Sequence, residues 1–317
     1  MAMRICSLQS SATEIVYALG LGSQLVAVTD RCDYPPEASK KPIASRGIFS
    51  GDLSSGEIDR AVNECVQSGR STHILDKEVL RAARPDLVIT QDLCHVCAVG
   101  SGEVIQAFHT LELKPQFVVL APATLWDVLD NIQRVGQTVG VGDHAEKVVA
   151  QLQHRIREVA EGTMLVNKRP RVFCMEWIDP PMAGGHWMSE MIWLAGGVDI
   201  LGRHGLTSVQ PTWEGIAACQ PEVIIIQPCG LDIPRTLREV QSLVKRDGWH
   251  KLPAVQDNQV YAVDPVYFTR PGPRLVTGTE ILAQILHPET FHGLIPHGAV
   301  MQLGLGKGEP SAKEYPG

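Results

Sequence analysis

The chain carries the same run of elements twice, and that repeat constrains its fold more than any other feature. Arg4-Ile5-Cys6-Ser7-Leu8, a polar turn and the helical pattern Thr13 to Leu21 lead to Pro85-Asp86-Leu87-Val88-Ile89 and then Gln116-Phe117-Val118-Val119-Leu120. The order returns as Arg171-Val172-Phe173-Cys174-Met175, a Pro/Gly turn, the helical pattern Ser189 to Ala195, Pro221-Glu222-Val223-Ile224-Ile225 and Gln259-Val260-Tyr261-Ala262-Val263. Short apolar runs alternating with helical periods are the pattern of mainly parallel sheets covered by helices. The expectation is an α/β protein of two similar lobes, with a ligand cleft between them.

Between the halves, Ala145, Val148, Val149, Leu152, Ile156, Val159 and Ala160 recur at spacings of three and four. They predict an amphipathic helix over Asp143 to Gly162, roughly 30 Å long, which would connect the lobes stiffly. A second helical pattern, Leu125 to Val139, precedes it, opened by Thr124 and Asp127. The predicted division is an N-terminal lobe over 1–123, a helical bridge over 124–168, a C-terminal lobe over 169–290 and an extended or disordered tail over 291–317. Ile48 to His73 reads as an insertion with a helical middle from Glu57 to Val66.

At 317 residues the chain has room for two domains, and its 44% apolar content is that of a globular protein. No apolar run approaches the roughly 20 residues of a spanning helix, so the chain is not expected to be membrane-embedded. A formal net charge of -7 with no basic stripe argues against nucleic acid. The eight cysteines lie mostly in apolar segments, as reduced thiols do. Met1 to Cys6 passes into a strand without a charged leader, so the cytoplasm is the expected location, or an extracytoplasmic one if a leader was removed.

Ligands of open parallel sheets bind at the carboxyl ends of the strands. The loops there hold Tyr34, Gln91, Asp92, His95, Trp177, Met182, His186, Trp187, Tyr267, Phe268 and Arg270. The chain is only 5% aromatic, yet five aromatics fall in these loops, which suits a large flat ligand. His186, after Gly184-Gly185, could bring an imidazole close to a ligand's metal. Cys94-His95-Val96-Cys97 offers thiolate and imidazole ligands, but no second pair completes a zinc site. The motifs GxxxxGK[ST], GxSxG and HExxH do not occur, which moves the reading from an enzyme towards a binding protein.

With Ser11-Ala12-Thr13-Glu14-Ile15, Asp33-Tyr34-Pro35-Pro36, Arg84-Pro85-Asp86, Asp179-Pro180-Pro181, Ala195-Gly196-Gly197 and Pro273-Arg274, residues 4 to 286 resemble the solute-binding proteins of cobalamin and iron-siderophore ABC importers. The DYPP and DPP turns lean towards the cobalamin branch. The resemblance implies a non-catalytic protein that binds cobalamin or a related corrinoid for uptake, carriage or storage; the cobalt of such a ligand is the metal that His186, presented after its two glycines, could ligate. It implies that Tyr34, Gln91, Met182 and Arg270 line the cleft and that Glu78 and Glu214 dock on an ABC permease. Gln91 and Met182 depart from the aromatics of such relatives, and Trp177 and Trp187 are additions. The alternatives are a ferric-siderophore or haem binder, or a corrinoid- or metal-handling enzyme using Cys94, His95 and Cys97.

Overall fold

Apolar runs too short for helices become strands buried on both faces, and helices between them force parallel pairing. A computed structural model describes residues 2–49, 51, 53–93, 98–306 and 311–317. The chain divides into two compact units. Unit 1 comprises Met1–Leu53, Glu57–Pro122 and Trp126–Gln151, and unit 2 comprises Ser54–Gly56, Ala123–Leu125 and Leu152–Gly317.

Unit 1 holds β1 (Ile5–Ser7), β2 (Leu25–Thr29), β3 (Ile43–Gly47), β4 (His73–Leu75), β5 (Leu87–Gln91) and β6 (Gln116–Leu120). They form one sheet in the order β4-β3-β2-β1-β5-β6, parallel except for the β3–β4 pair. Cys6, Leu8, Val88, Leu80, Val104 and Phe108 pack into one core cluster, and the sheet is buried through every residue of β5.

Unit 2 holds β7 (Arg171–Trp177), β8 (Met182–Ala183), β9 (Val198–Asp199), β10 (Val223–Ile226), β11 (Val260–Val263), β12 (Val300–Gly304) and β13 (Ser311–Glu314). The order is β13-β12-β11-β10-β7-β8, with β9 paired to β7. The inner run β9-β7-β10-β11 is parallel and repeats β2-β1-β5-β6. Phe173, Met175, Ile224, Ile226 and Trp249 fill its core. Burying each such side chain contributes about 1.5–3 kcal/mol.

The repeat extends to individual hydrogen bonds. Asp76 caps the helix Lys77–Ala83, and Thr212 caps Trp213–Ala218 at the equivalent place. The chain then turns through a left-handed residue, Arg84 at φ 37° or Gln220 at φ 48°, into Pro85 or Pro221. The freed carbonyls at each helix end need donors, and an arginine at the start of the neighbouring strand supplies them. Arg4 Nη2 donates to Ala83 O at 2.7 Å, and Arg171 Nη2 to Gln220 O at 2.9 Å. The backbone N–H of Arg4 donates to Asp86 Oδ2 at 2.8 Å, and that of Arg171 to Glu222 Oε2 at 2.9 Å.

The helices Leu125–Thr138 and Gly142–Thr163 occupy the segment expected to be helical. Trp126–Gln151 group with unit 1, and Leu125 and the residues from Leu152 with unit 2. The expected insertion contains the helix Ser55–Gln67. The 291–317 segment, however, is not a loose tail. β12 pairs antiparallel with β11, β13 pairs with β12, and Val300 and Leu303 are buried. Tyr315 N–H donates to Val300 O, its ring meets Tyr261 edge-on at 5.3 Å, and Gln284 Nε2 donates to Pro316 O.

Candidate ligand site

In unit 1 the chain leaves β1 through Leu8 and Gln9 and enters the helix Ser10–Ala18. A buried hydroxyl and thiol knot fixes that exit. Thr13 Oγ1–H donates to Ser7 Oγ, which donates to Gln9 O; this leaves the Cys32 thiol to donate to Thr13 Oγ1 at 3.1 Å. Cys32 anchors the 30–36 loop, where Tyr34 is 48% exposed and the Tyr34–Pro35 peptide is cis. After β5, Asp92 is exposed, whereas Gln91 is buried and its Oε1 accepts Leu93 N–H at 2.6 Å. Gln91 therefore organises the turn. His95, Cys94 and Cys97 lie outside the described residues.

In unit 2 the exit from β7 is longer. Trp177, half-buried, donates its indole N–H to Asp179 O, and the cis Asp179–Pro180 peptide turns the chain into β8. Arg246 reaches Asp179 Oδ1 at 3.3 Å while lying over the Trp213 ring. Met182 is half-buried in β8. Gly184 and Gly185 follow, and a Cβ on Gly185 would stand 2.4 Å from Ser208 N, so only glycine fits there without a shift. His186 comes next at φ 53°, its N–H bonded to Leu206 O and its carbonyl to Gly205 N–H. Its ring stacks on Trp187 at 5.5 Å, its Nδ1 is buried without a hydrogen-bond partner, and burial lowers its pKa. A neutral imidazole with an uncommitted nitrogen can serve as a metal ligand.

Trp187 and Phe268 do not belong to an open ligand surface. Trp187 is 4% exposed, Phe268 is 1% exposed, and the Trp187 indole donates to Phe268 O at 2.7 Å. A buried indole N–H must find an acceptor, and here the neighbouring loop provides it, so the two aromatics fasten one loop to the other. Tyr267 and Arg270 remain half-buried on that loop, and the Arg274 guanidinium lies 5.5 Å from the Tyr267 ring centre.

The repeat also brings Gln227, just after β10, to the position of Gln91 at the end of β5. It is 1% exposed, its Nε2 meets Cys174 Sγ at 3.5 Å, and its Oε1 is unpartnered. The equal spacing of Pro85 to Gln91 and Pro221 to Gln227 was the signal for it. Glu78 and Glu214 are both exposed, each the second residue of its capped helix. Burial raises the pKa of the Cys6 and Cys174 thiols, which removes them as nucleophiles at neutral pH. Among the described residues, no group of three or more His, Cys, Asp or Glu side chains is placed to hold a metal ion, and no helix is long and apolar enough to cross a membrane.

Two α/β units with repeated strand order and loops at the strand ends define a solute-binding protein fold. Residues 5–267 match the periplasmic binding protein family, and the chain belongs to it. It is 27% identical over 283 residues to a vitamin B12-binding protein of Vibrio cholerae, covering 88% of this chain and 87% of that one. An uncharacterized ABC transporter substrate-binding lipoprotein of Bacillus subtilis is 26% identical over 299 residues, 91% of this chain and 81% of that one. The apo periplasmic heme-binding protein RhuT from Roseiflexus sp. RS-1 superposes with a TM-score of 0.68 at 22% identity, covering 92% of this chain and 100% of that chain. These findings overturn the cytoplasmic expectation. The family is one of periplasmic proteins and a relative is a lipoprotein, so buried reduced cysteines and the character of the first residues were poor guides to location.

Proposed function

We propose that this protein is the extracytoplasmic solute-binding component of an importer, that it takes up cobalamin or a related corrinoid, and that it performs no chemistry on it. The observation that carries this reading is the similarity to the Vibrio cholerae vitamin B12-binding protein over nearly the full length of both chains. The side chains left exposed or half-buried at the strand ends fit it: Tyr34, Trp177, Met182 and Tyr267 offer apolar surface, while Asp92 and Arg270 can bond peripheral amides. His186 would take the cobalt when an axial position is free. Glu78 and Glu214, at matching places in the two units, would meet cationic side chains of the permease.

Titration calorimetry with cyanocobalamin, hydroxocobalamin, haem and a ferric siderophore tests the ligand. One cobalamin per chain is the expected result; tight haem binding with no heat from either cobalamin would overturn it. Haem is the second reading, favoured by the uncommitted nitrogen of His186. Visible spectra of bound hydroxocobalamin in wild type and His186→Ala test the cobalt contact, and unchanged bands would remove His186 from it.

A further inference from the structure

Beside His186, unit 2 holds a short turn firmly while leaving its longest side chains uncovered. Residues 205–209 run antiparallel to residues 183–186: Ala183 and Val209 exchange two backbone bonds, His186 N–H donates to Leu206 O at 2.6 Å, and Gly205 N–H donates to His186 O at 3.0 Å. Leu206 N–H closes the turn on Arg203 O at 3.1 Å. His204 Nε2 lies 3.2 Å from Glu190 Oε1, and Glu190 Oε2 accepts Leu125 N–H at 2.7 Å, so the turn is also fastened to the helix Met188–Leu194.

Leu206 is nevertheless 57% exposed. A lone exposed leucine is ordinary on a surface, but this one stands on backbone that is bonded around it, next to a histidine whose Nδ1 has no partner. Arg203, which opens the turn, is exposed as well, and its guanidinium meets no partner among the described residues. The carboxylates that hold this loop are engaged already, Glu190 by His204 and Leu125, and Asp199 by the N–H groups of Leu201 and Gly202 and the Ser189 hydroxyl. A fixed apolar tip, a free guanidinium and a free imidazole nitrogen suit a bulky apolar solute that carries an anionic group, because the guanidinium can pair with its oxygens without breaking a bond inside the protein.

We propose, on the reading that the solute is a metal-centred macrocycle, that Arg203 and Leu206 extend the site around His186: Leu206 lies against the macrocycle, and Arg203 pairs with an anionic oxygen at its rim. In cobalamin that oxygen belongs to the phosphodiester of the nucleotide loop, and in haem to a propionate. Arg203 would then make the protein prefer a macrocycle that bears this charge over the same ring without it.

Calorimetric titration of wild type, Arg203→Gln and Leu206→Ser with two matched pairs, cyanocobalamin with dicyanocobinamide and haem with haem dimethyl ester, tests this. For the pair that wild type binds, Arg203→Gln is expected to weaken the member with the anionic group about tenfold and to leave the member without it unchanged. Leu206→Ser is expected to weaken both members severalfold, and Arg203→Lys to retain most of the affinity. Leu165→Ser, at a residue 80% exposed ahead of β7, is the control and should bind as wild type. Because all three positions are exposed, circular dichroism and unfolding midpoints should not change. Wild-type affinity in either Arg203→Gln or Leu206→Ser, or an Arg203→Gln loss equal for the two members of a pair, would overturn the proposal and leave the cobalamin reading standing. The expected losses in the haem pair alone would support the proposal and overturn cobalamin as the solute. A wild type that binds none of the four would overturn both.

Discussion

In unit 1 the chain passes from β1 to the helix Ser10–Ala18 through Leu8 and Gln9, whereas in unit 2 it leaves β7 by a hairpin, a cis-proline and Gly184-Gly185-His186 before the helix Met188–Leu194. At the opposite ends of the same strands the units agree closely: Arg4 bonds Asp86 and Arg84 O as Arg171 bonds Glu222 and Gln220 O, with Ala83 O as a further acceptor for Arg4. Along these first strands the divergence thus lies at the end where parallel sheets receive ligands. The amino-terminal ends hold the fold, and the carboxyl-terminal ends are free to change with the solute.

The strongest way to break that division is to compare aromatics from its two sides. Trp187→Ala removes a buried indole and leaves Phe268 O without its donor, and should cost about 3–5 kcal/mol in denaturant unfolding. Tyr34→Ala, at a side chain 48% exposed, should stay within about 0.5 kcal/mol while weakening solute binding. Equal losses of stability would mean that the 30–36 loop is as much a part of the fold as the Trp187 loop.

A smaller effect sharpens the agreement. Arg4→Ala and Arg171→Ala should each cost about 1 kcal/mol, because each frees helix-end carbonyls that water can partly satisfy. A loss in one unit alone would show that the repeat preserves geometry without preserving energetics.

The pH dependence is the smallest effect. Burial raises the Glu222 pKa, but Lys168, the Arg171 backbone N–H and the Arg171 charge outweigh it, so the folded value lies below the ordinary 4.5. Its contribution is complete above about pH 4.5 and is lost as pH falls through the lower folded value. Glu222→Gln should therefore reduce the acid-side fall in unfolding midpoint. Among the described residues, burial lowers the pKa of His73 in unit 1 and of His186 in unit 2. Their contribution is present above about pH 6.5 and is lost as pH falls through the folded values. His73→Gln and His186→Gln should each flatten the midpoint curve below pH 6.5, and a curve unchanged by either would place the acid-side loss elsewhere.

The inner strands were legible because a strand buried on both faces must be a continuous apolar run, as Leu87-Val88-Ile89 and Val223-Ile224-Ile225 are. The helix Gly142–Thr163 was legible from its period. Short, polar or glycine-flanked strands were not. β3 reads Ile43-Ala44-Ser45-Arg46-Gly47, β9 has two residues, and β12 lies in a segment whose glycines and prolines suggested disorder. At the site, position could be inferred but direction could not. Tyr34 and Trp187 both follow strands, yet one is exposed and the other fastened inside by a carbonyl from a distant loop, a pairing that sequence spacing does not encode. Gln227 was legible from the register of the repeat, because it follows Pro221 at the spacing at which Gln91 follows Pro85.

The last strand has a consequence for how the chain can be handled. β12 carries Val300, Met301 and Leu303, and its outer row of amides and carbonyls is taken up by β13, whose Ser311-Ala312-Lys313-Glu314 faces solvent throughout. A charged, solvated strand at the rim is a poor template for another chain, whereas an apolar one recruits copies. A chain shortened before Ser311 would keep every loop proposed to touch the solute, yet would bare β12 and strip Tyr315 from Tyr261. Such a protein would be lost to strand-to-strand association in concentrated solution while still binding its solute when dilute.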